Sequence, residues 1–151
     1  MNRRTQGLVT AITAVVALIA PATAIARTPA TGAKKTAIVS AIIRHEEPRP
    51  SLSQARRCIN VWTFRGFAYV QPHGPTSLCT QPGGYPVLDV VAIMHNTRGR
   101  WGVRLTTQNS VFTAQLRRLR IPLSVYKNLT RQPVLCSPGD HRGCTAEPVA
   151  N

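Results

Sequence analysis

Carboxylates are scarce in this chain: 5 Asp and Glu stand against 19 Lys and Arg, giving a formal charge of +14. The one adjacent acidic pair is Glu46-Glu47. Neighbours on a helix point about 100° apart, so the pair reads as a solvated helix end rather than a matched acid and base. Signatures of common enzymes are missing too. There is no G-x-S-x-G, no His pair at i, i+4 and no glycine-rich loop to cradle phosphates. Cys136, His141 and Cys144 have the spacing C-x4-H-x2-C, which gives three donors and no fourth for zinc. No cysteine follows the N-terminal apolar run where a lipid-modified anchor would need one. The basic residues are not gathered on one long amphipathic helix, which argues against an envelope-disrupting peptide. No metal and no cofactor is expected.

The N-terminal run itself reads as an export signal. Arg3 and Arg4 supply a positive start, Leu8 to Ala20 a weakly apolar stretch, and Ala24-Ile25-Ala26 a small-x-small site with cleavage after Ala26. Left uncleaved, Leu8 to Ala26 is long enough to cross a bilayer as an anchor. Two of the 19 cations leave with residues 1–26 while all 5 acids stay, so the mature chain carries 17 against 5, a surplus of +12. A secreted or cell-envelope location follows, with attraction to a polyanion or an acidic protein. Cys58, Cys79, Cys136 and Cys144 all lie in the mature part, and an even count in an exported chain argues for two disulfides. Pairing Cys58 with Cys79 and Cys136 with Cys144 closes local loops; Cys58 with Cys136 is the rival.

The period of the apolar residues sketches an α+β domain. Residues 27–36 are small, polar and basic, and read as a flexible linker. Ala37 to Glu47 has helical spacing, capped by Thr36 and stopped by Pro48. Residues 48–57 form a basic loop. Ile59 to Phe64 and Phe67 to Val70 read as sheet around Gly66, and their aromatics Trp62, Phe64, Phe67 and Tyr69 as core. Gln71 to Pro86, rich in Pro and Gly, is a loop stapled by Cys79. Val87 to Thr107 is a hairpin, with a type I turn at His95 to Arg100 and Gly99 in a left-handed bulge position. Asp89 is a lone carboxylate on its first strand. On its second strand Trp101, Val103 and Leu105 alternate with Arg100, Gly102, Arg104 and Thr106 and form one buried face. Asn109 or Ser110 caps a helix bearing Phe112, Leu116 and Leu119, and Pro122 starts another with Val125, Tyr126 and Leu129. Residues 137–151 form a disulfide-looped tail after a domain spanning 37–136. The expected fold is a small antiparallel sheet packed by an N-terminal helix and one or two C-terminal helices.

Ala37 to Ile43, the strand led by Cys58, Trp101 with Val103, Ile121-Pro122 with Val125 and Leu129, and Cys136 together resemble a group of small exported bacterial proteins of unknown function. The likeness covers Ala37 to Cys136 and implies an α+β domain without implying an activity. The chain departs from that pattern in having no cysteine near Ser110, where the resemblance implies a partner for the closing cysteine.

Two functional classes remain. One is a non-catalytic binding module that holds a polyanion or acidic partner through Arg98, Arg100, Arg104, Arg117, Arg118, Arg120, Lys127 and Arg131. The other is a small secreted nuclease or hydrolase in which two of His45, His73, His95 and His141 share acid and base duties. No sequence-specific nucleic-acid recognition is evident, a membrane is met only through an uncleaved signal, and the oligomeric state is open.

Overall fold

The computed structural model describes residues 26–46, 49–73, 78–80, 84, 86–87, 91–107 and 110–145. The leader-like segment up to residue 25, Glu47, Asp89 and Asn109 lie outside them. Runs rich in β-branched and aromatic residues build one sheet. Its strands are Thr28–Pro29 (β1), Ile59–Phe64 (β2), Phe67–Pro72 (β3), Ala92–Thr97 (β4) and Arg100–Thr106 (β5). They lie in the order β1-β2-β3-β4-β5, each antiparallel to the next.

The dipeptides Arg65-Gly66 and Arg98-Gly99 close the two hairpins. Their φ angles are 46° and 78° in the first and 52° and 82° in the second. Positive φ at both central residues is the type I′ turn, whose twist suits paired strands. Thr97 therefore pairs directly with Arg100, and the bulge expected around Gly99 is not formed. The amide of Gly99 instead donates to Asn96 Oδ1 at 2.9 Å.

Helices cover both faces of the sheet. Gly32–Ile42 (α1) runs into a 3₁₀ turn at Ile43–His45, and Leu52–Cys58 (α2) follows; Thr113–Arg118 (α3) and Leu123–Thr130 (α4) come after β5. On one face Ile38, Val39, Ile42 and Ala55 pack on Ile59, Val61, Ala68, Val70, Ala92 and Met94. On the other Leu116, Ile121, Val125, Tyr126 and Leu129 pack on Phe67, Tyr69, Ile93 and Leu105. The expected α+β architecture is present, and the sheet divides its core in two.

Three expected boundaries move. Residues 27–36 are no linker: β1 zips Thr28 and Pro29 to Thr63 and Trp62, and α1 already begins at Gly32. Thr36 consequently sits inside the helix, its hydroxyl donating to Gly32 O at 3.0 Å. The basic loop 48–57 contains α2, whose N-cap Ser51 accepts from the Gln54 amide. The tail beyond Cys136 folds back on α3 and belongs to the domain.

A bulge in β5 overturns the simple alternation of that strand. Ile93 pairs with Leu105 and Met94 with Val103, leaving Arg104 without a partner across the ladder. An extra residue reverses the faces beyond it. Trp101 and Val103 thus join the α1 side, while Leu105 joins the α4 side. Deleting Arg104 should leave both faces correctly served and cost no more than about 1–2 kcal/mol in a urea titration, whereas in a regular strand one lost residue would turn every later side chain over. Collapse of the folded state on deletion would refute the bulge.

Cys58 bonds Cys79, and Cys136 bonds Cys144, which is the local pairing. Two disulfides suit an oxidising compartment. Among the described residues no helix is long and apolar enough to cross a membrane.

Candidate functional site

The register places both Arg-Gly turns at one end of the sheet. Phe67 pairs with His95, and the Asn96 amide donates to Gly66 O at 2.8 Å, so the turns are neighbours. Lys34 of α1 reaches the same end and donates to Thr63 Oγ1 at 3.0 Å. A cleft of about 320 Å³ here is lined by Ala26, Thr28, Lys34, Thr63, Arg65, Asn96 and Trp101 among others. A second, of about 540 Å³, runs between α1 and the hairpin tip, lined by Ala37, Ser40, Arg44, Gly99, Arg100 and Trp101. The half-buried Trp101 stands between the two. The described carboxylates, Glu46 and Asp140, line neither cleft. One groove of positive potential therefore follows α1, with an indole in its wall.

Arg27 borders this end. Its guanidinium stacks 4.6 Å from the Trp62 ring centroid and donates to the Leu129 carbonyl. Burial, helped by nearby Arg131, pulls its pKa down from the ordinary value. Phe64, Phe67 and Tyr69 are buried, so the aromatics of β2 and β3 are core, with Trp62 stacked on Tyr69 at 5.7 Å.

The structure does not gather the eight candidate cations into one patch. Arg98 and Arg100 sit at the hairpin tip, beside Lys34, Arg44 and Arg65, which the sequence reading missed. Lys34 and Arg44 arrive by the packing of α1 on the sheet and Arg65 by the pairing of β3 with β4, which one-dimensional spacing does not reveal. Arg104 is the exposed bulge residue of β5, and Arg118 is exposed on α3. Arg131 ends α4 in the left-handed conformation, φ 59°. Arg117, Arg120 and Lys127 face the tail instead.

That tail is a disulfide ring docked on the C-terminal helices. No nearby side chain caps α3, whose N-cap is Phe112 rather than Asn109 or Ser110. The ring supplies the missing acceptor: Ser137 Oγ accepts from the Ala114 amide at 2.9 Å, and the Ser137 amide donates to Thr113 Oγ1 at 3.0 Å. Asp140 accepts from the Thr113 hydroxyl and from Arg117 Nη2 at 2.7 and 2.8 Å. Lys127 Nζ donates to Gly143 O at 3.2 Å. A carboxylate at a helix N-terminus is favourably placed.

The Thr113 hydroxyl and then Arg117 hold the Asp140 carboxyl below its ordinary value of 3.8. The folded state thus binds this proton less readily than the unfolded one, and its stabilisation is complete above about 3.8 and lost as pH falls through the depressed value. Asp140→Asn is accordingly expected to lower Tm near neutral pH and to make little difference in strong acid. A Tm gap that persists unchanged down to acid pH would contradict this.

The four histidines stand apart. His45 ends the 3₁₀ turn, His73 follows β3, His95 stacks on Phe67 at 4.3 Å, and His141 lies in the ring. His73 and His95 mark opposite ends of the sheet, because Pro72 pairs with the first residue of β2 and Phe67 with its last. Among the described residues no group of three or more His, Cys, Asp and Glu is placed to hold a metal ion.

Comparison with protein-family models, with curated proteins and with solved structures gives no match for this chain.

Proposed function

We propose that this is an exported, non-catalytic module that binds a polyanion along the sheet end between α1 and the two Arg-Gly turns. The observation that carries the reading is conformational. Among the described residues, the non-glycine positions with positive φ are Arg65, Arg98, Arg120 and Arg131, every one an arginine. A side chain in the left-handed region costs on the order of 1 kcal/mol, and glycine or asparagine relieves it. Arg65 and Arg98 are the two at this sheet end, where arginine gives up stability for a displayed guanidinium, the kind of local strain that clusters at functional surfaces; Arg120 and Arg131 follow α3 and α4. Cleavage after Ala26 would add the α-ammonium of Arg27 at the mouth of the first cleft, whose lining includes Ala26.

Arg98→Asn separates the two roles of that residue. It creates an Asn-Gly turn, the favoured type I′ sequence, and is expected to raise stability by about 0.5–1 kcal/mol. The same change should weaken binding of long-chain polyphosphate and flatten its salt dependence by about one contact. For the mature chain with about four cations engaged, affinity should fall by about two orders of magnitude between about 50 and about 200 mM salt. Isothermal titration of the variant beside the parent checks both; binding indifferent to salt or to Arg98→Asn would overturn the reading.

A further inference from the structure

A third basic cleft lies at the junction of α3, α4 and the disulfide ring and shares no lining residue with the surface just described. It measures about 400 Å³ and is lined by Thr113, Arg117, Arg120, Ile121, Pro122, Leu123, Asp140 and Arg142. That volume falls within the range of small-molecule sites. Its wall is divided by chemistry. Ile121, Pro122 and Leu123 form an apolar side where the chain turns from α3 into α4, and three guanidinium groups form the other.

The single acid in the cleft is already committed. Asp140 accepts from Thr113 and, through both oxygens, from Arg117. With that pair neutralised, Arg120 and Arg142 leave the cleft two positive charges in formal excess. Both side chains are exposed, but each leaves a backbone that is held in place. Arg120 leaves α3 at φ 55°, which sets the direction of its Cα–Cβ bond, and the Ile121 amide that follows bonds back to Leu116 O at 2.9 Å. Arg142 stands within the small ring closed by Cys136–Cys144. The neighbouring Gly143 packs so closely on α4 that an added Cβ would come within 3.0 Å of Leu123 Cδ2. Guanidinium forks match the oxygens of a phosphate group better than ammonium groups do.

We infer that this cleft binds a phosphate monoester of an aryl or alkyl alcohol, with the dianionic phosphate between Arg120 and Arg142 and the apolar part against Ile121, Pro122 and Leu123. The two charges of the monoester match the two uncommitted guanidinium groups. The apolar wall asks for more than inorganic phosphate can offer.

Phenyl phosphate is the probe, titrated into the mature disulfide-bonded protein while backbone amide resonances are followed. Saturable shifts at Ile121, Leu123 and Arg142 with a Kd below about 1 mM are expected. Inorganic phosphate should bind at least about tenfold more weakly for want of the apolar contact, and benzoate likewise for want of the second charge. Arg120→Gln and Arg142→Gln should each cost about tenfold or more while Tm holds, and Arg98→Gln, on the other surface, should cost nothing. Inorganic phosphate or benzoate binding as tightly as phenyl phosphate, or Arg98→Gln weakening it as much as Arg142→Gln, would overturn the assignment. Neither outcome touches the polyphosphate titration of the sheet end.

Discussion

Replacing Cys58 and Cys79 together by alanine is expected to lower the unfolding free energy by about 3 kcal/mol, measured as a shift of the guanidinium midpoint. The bridge joins the last residue of α2 to a loop residue across a sequence separation of 21. A loop of that size in the unfolded chain loses about 3 kcal/mol of conformational freedom when cross-linked. The bridge is also packed: Cys58, Cys79 and Val87 form a buried cluster of their own, 2%, 6% and 3% exposed. His73 donates to Cys58 O and Val87 to Cys79 O, each at 2.8 Å, so both ends of the long connection between β3 and β4 are pinned beside the sulfurs. The ring at Cys136–Cys144 has a separation of 8 and should contribute less, about 2.5 kcal/mol. If opening the smaller ring proved the more damaging of the two, the docking of Ser137 and Asp140 would outweigh chain entropy as the source of its stability.

What the sequence disclosed was local in character. Cysteine number and spacing led to the pairs that form, because short loops close at small entropic cost. Period-two runs located β2 to β5, and the helical spacing after Ser110 located α3 and α4. The short helix α2 was hidden by the prolines and serine that precede it, although Ser51-x-x-Gln54 is a capping signature that would have revealed it. Ser51 does cap it, accepting from Gln54. The start of α1 was hidden by Gly32, Ala33 and two lysines, which have no apolar period of their own. They become helical because Ile38, Val39 and Ile42, further along, are fully enclosed by the sheet and α2.

Other features depend on residues far apart in the chain, and no window of sequence contains them. The bulge at Arg104 shows nothing to a reader of alternation, since an outward arginine suits either register there. Only the demand of α4 for Leu105 on its own side decides it. The same holds for the cap of α3, which arrives from Ser137, and for the groove that joins Lys34, Arg44, Arg65 and Arg100 around Trp101. Spacing identified Arg98 and Arg100 as a pair. It could not say that a second Arg-Gly turn lies beside them, because that follows from β3 pairing with β4 across the long connection.

A sheet covered on both sides makes a sharper prediction than a single core would. Leu129 of α4 is fully enclosed on one face and Ile42 of α1 almost so on the other, at 0% and 1% exposure. Leu129→Ala should cost about 3 kcal/mol or more through lost burial and the cavity left behind, and Ile42→Val about 1 kcal/mol. The two sites belong to different clusters and share no neighbours within them, so the double variant should show their sum, about 4 kcal/mol, to within about 0.5 kcal/mol. Leu129→Ala carries a second consequence. The Leu129 carbonyl accepts from Arg27, so a backbone shift of α4 into the cavity would loosen Arg27 from Trp62 and increase exposure of that indole, visible as a red-shifted tryptophan emission. Strong coupling between Ile42 and Leu129 in the urea titrations would mean that the sheet transmits strain from one face to the other.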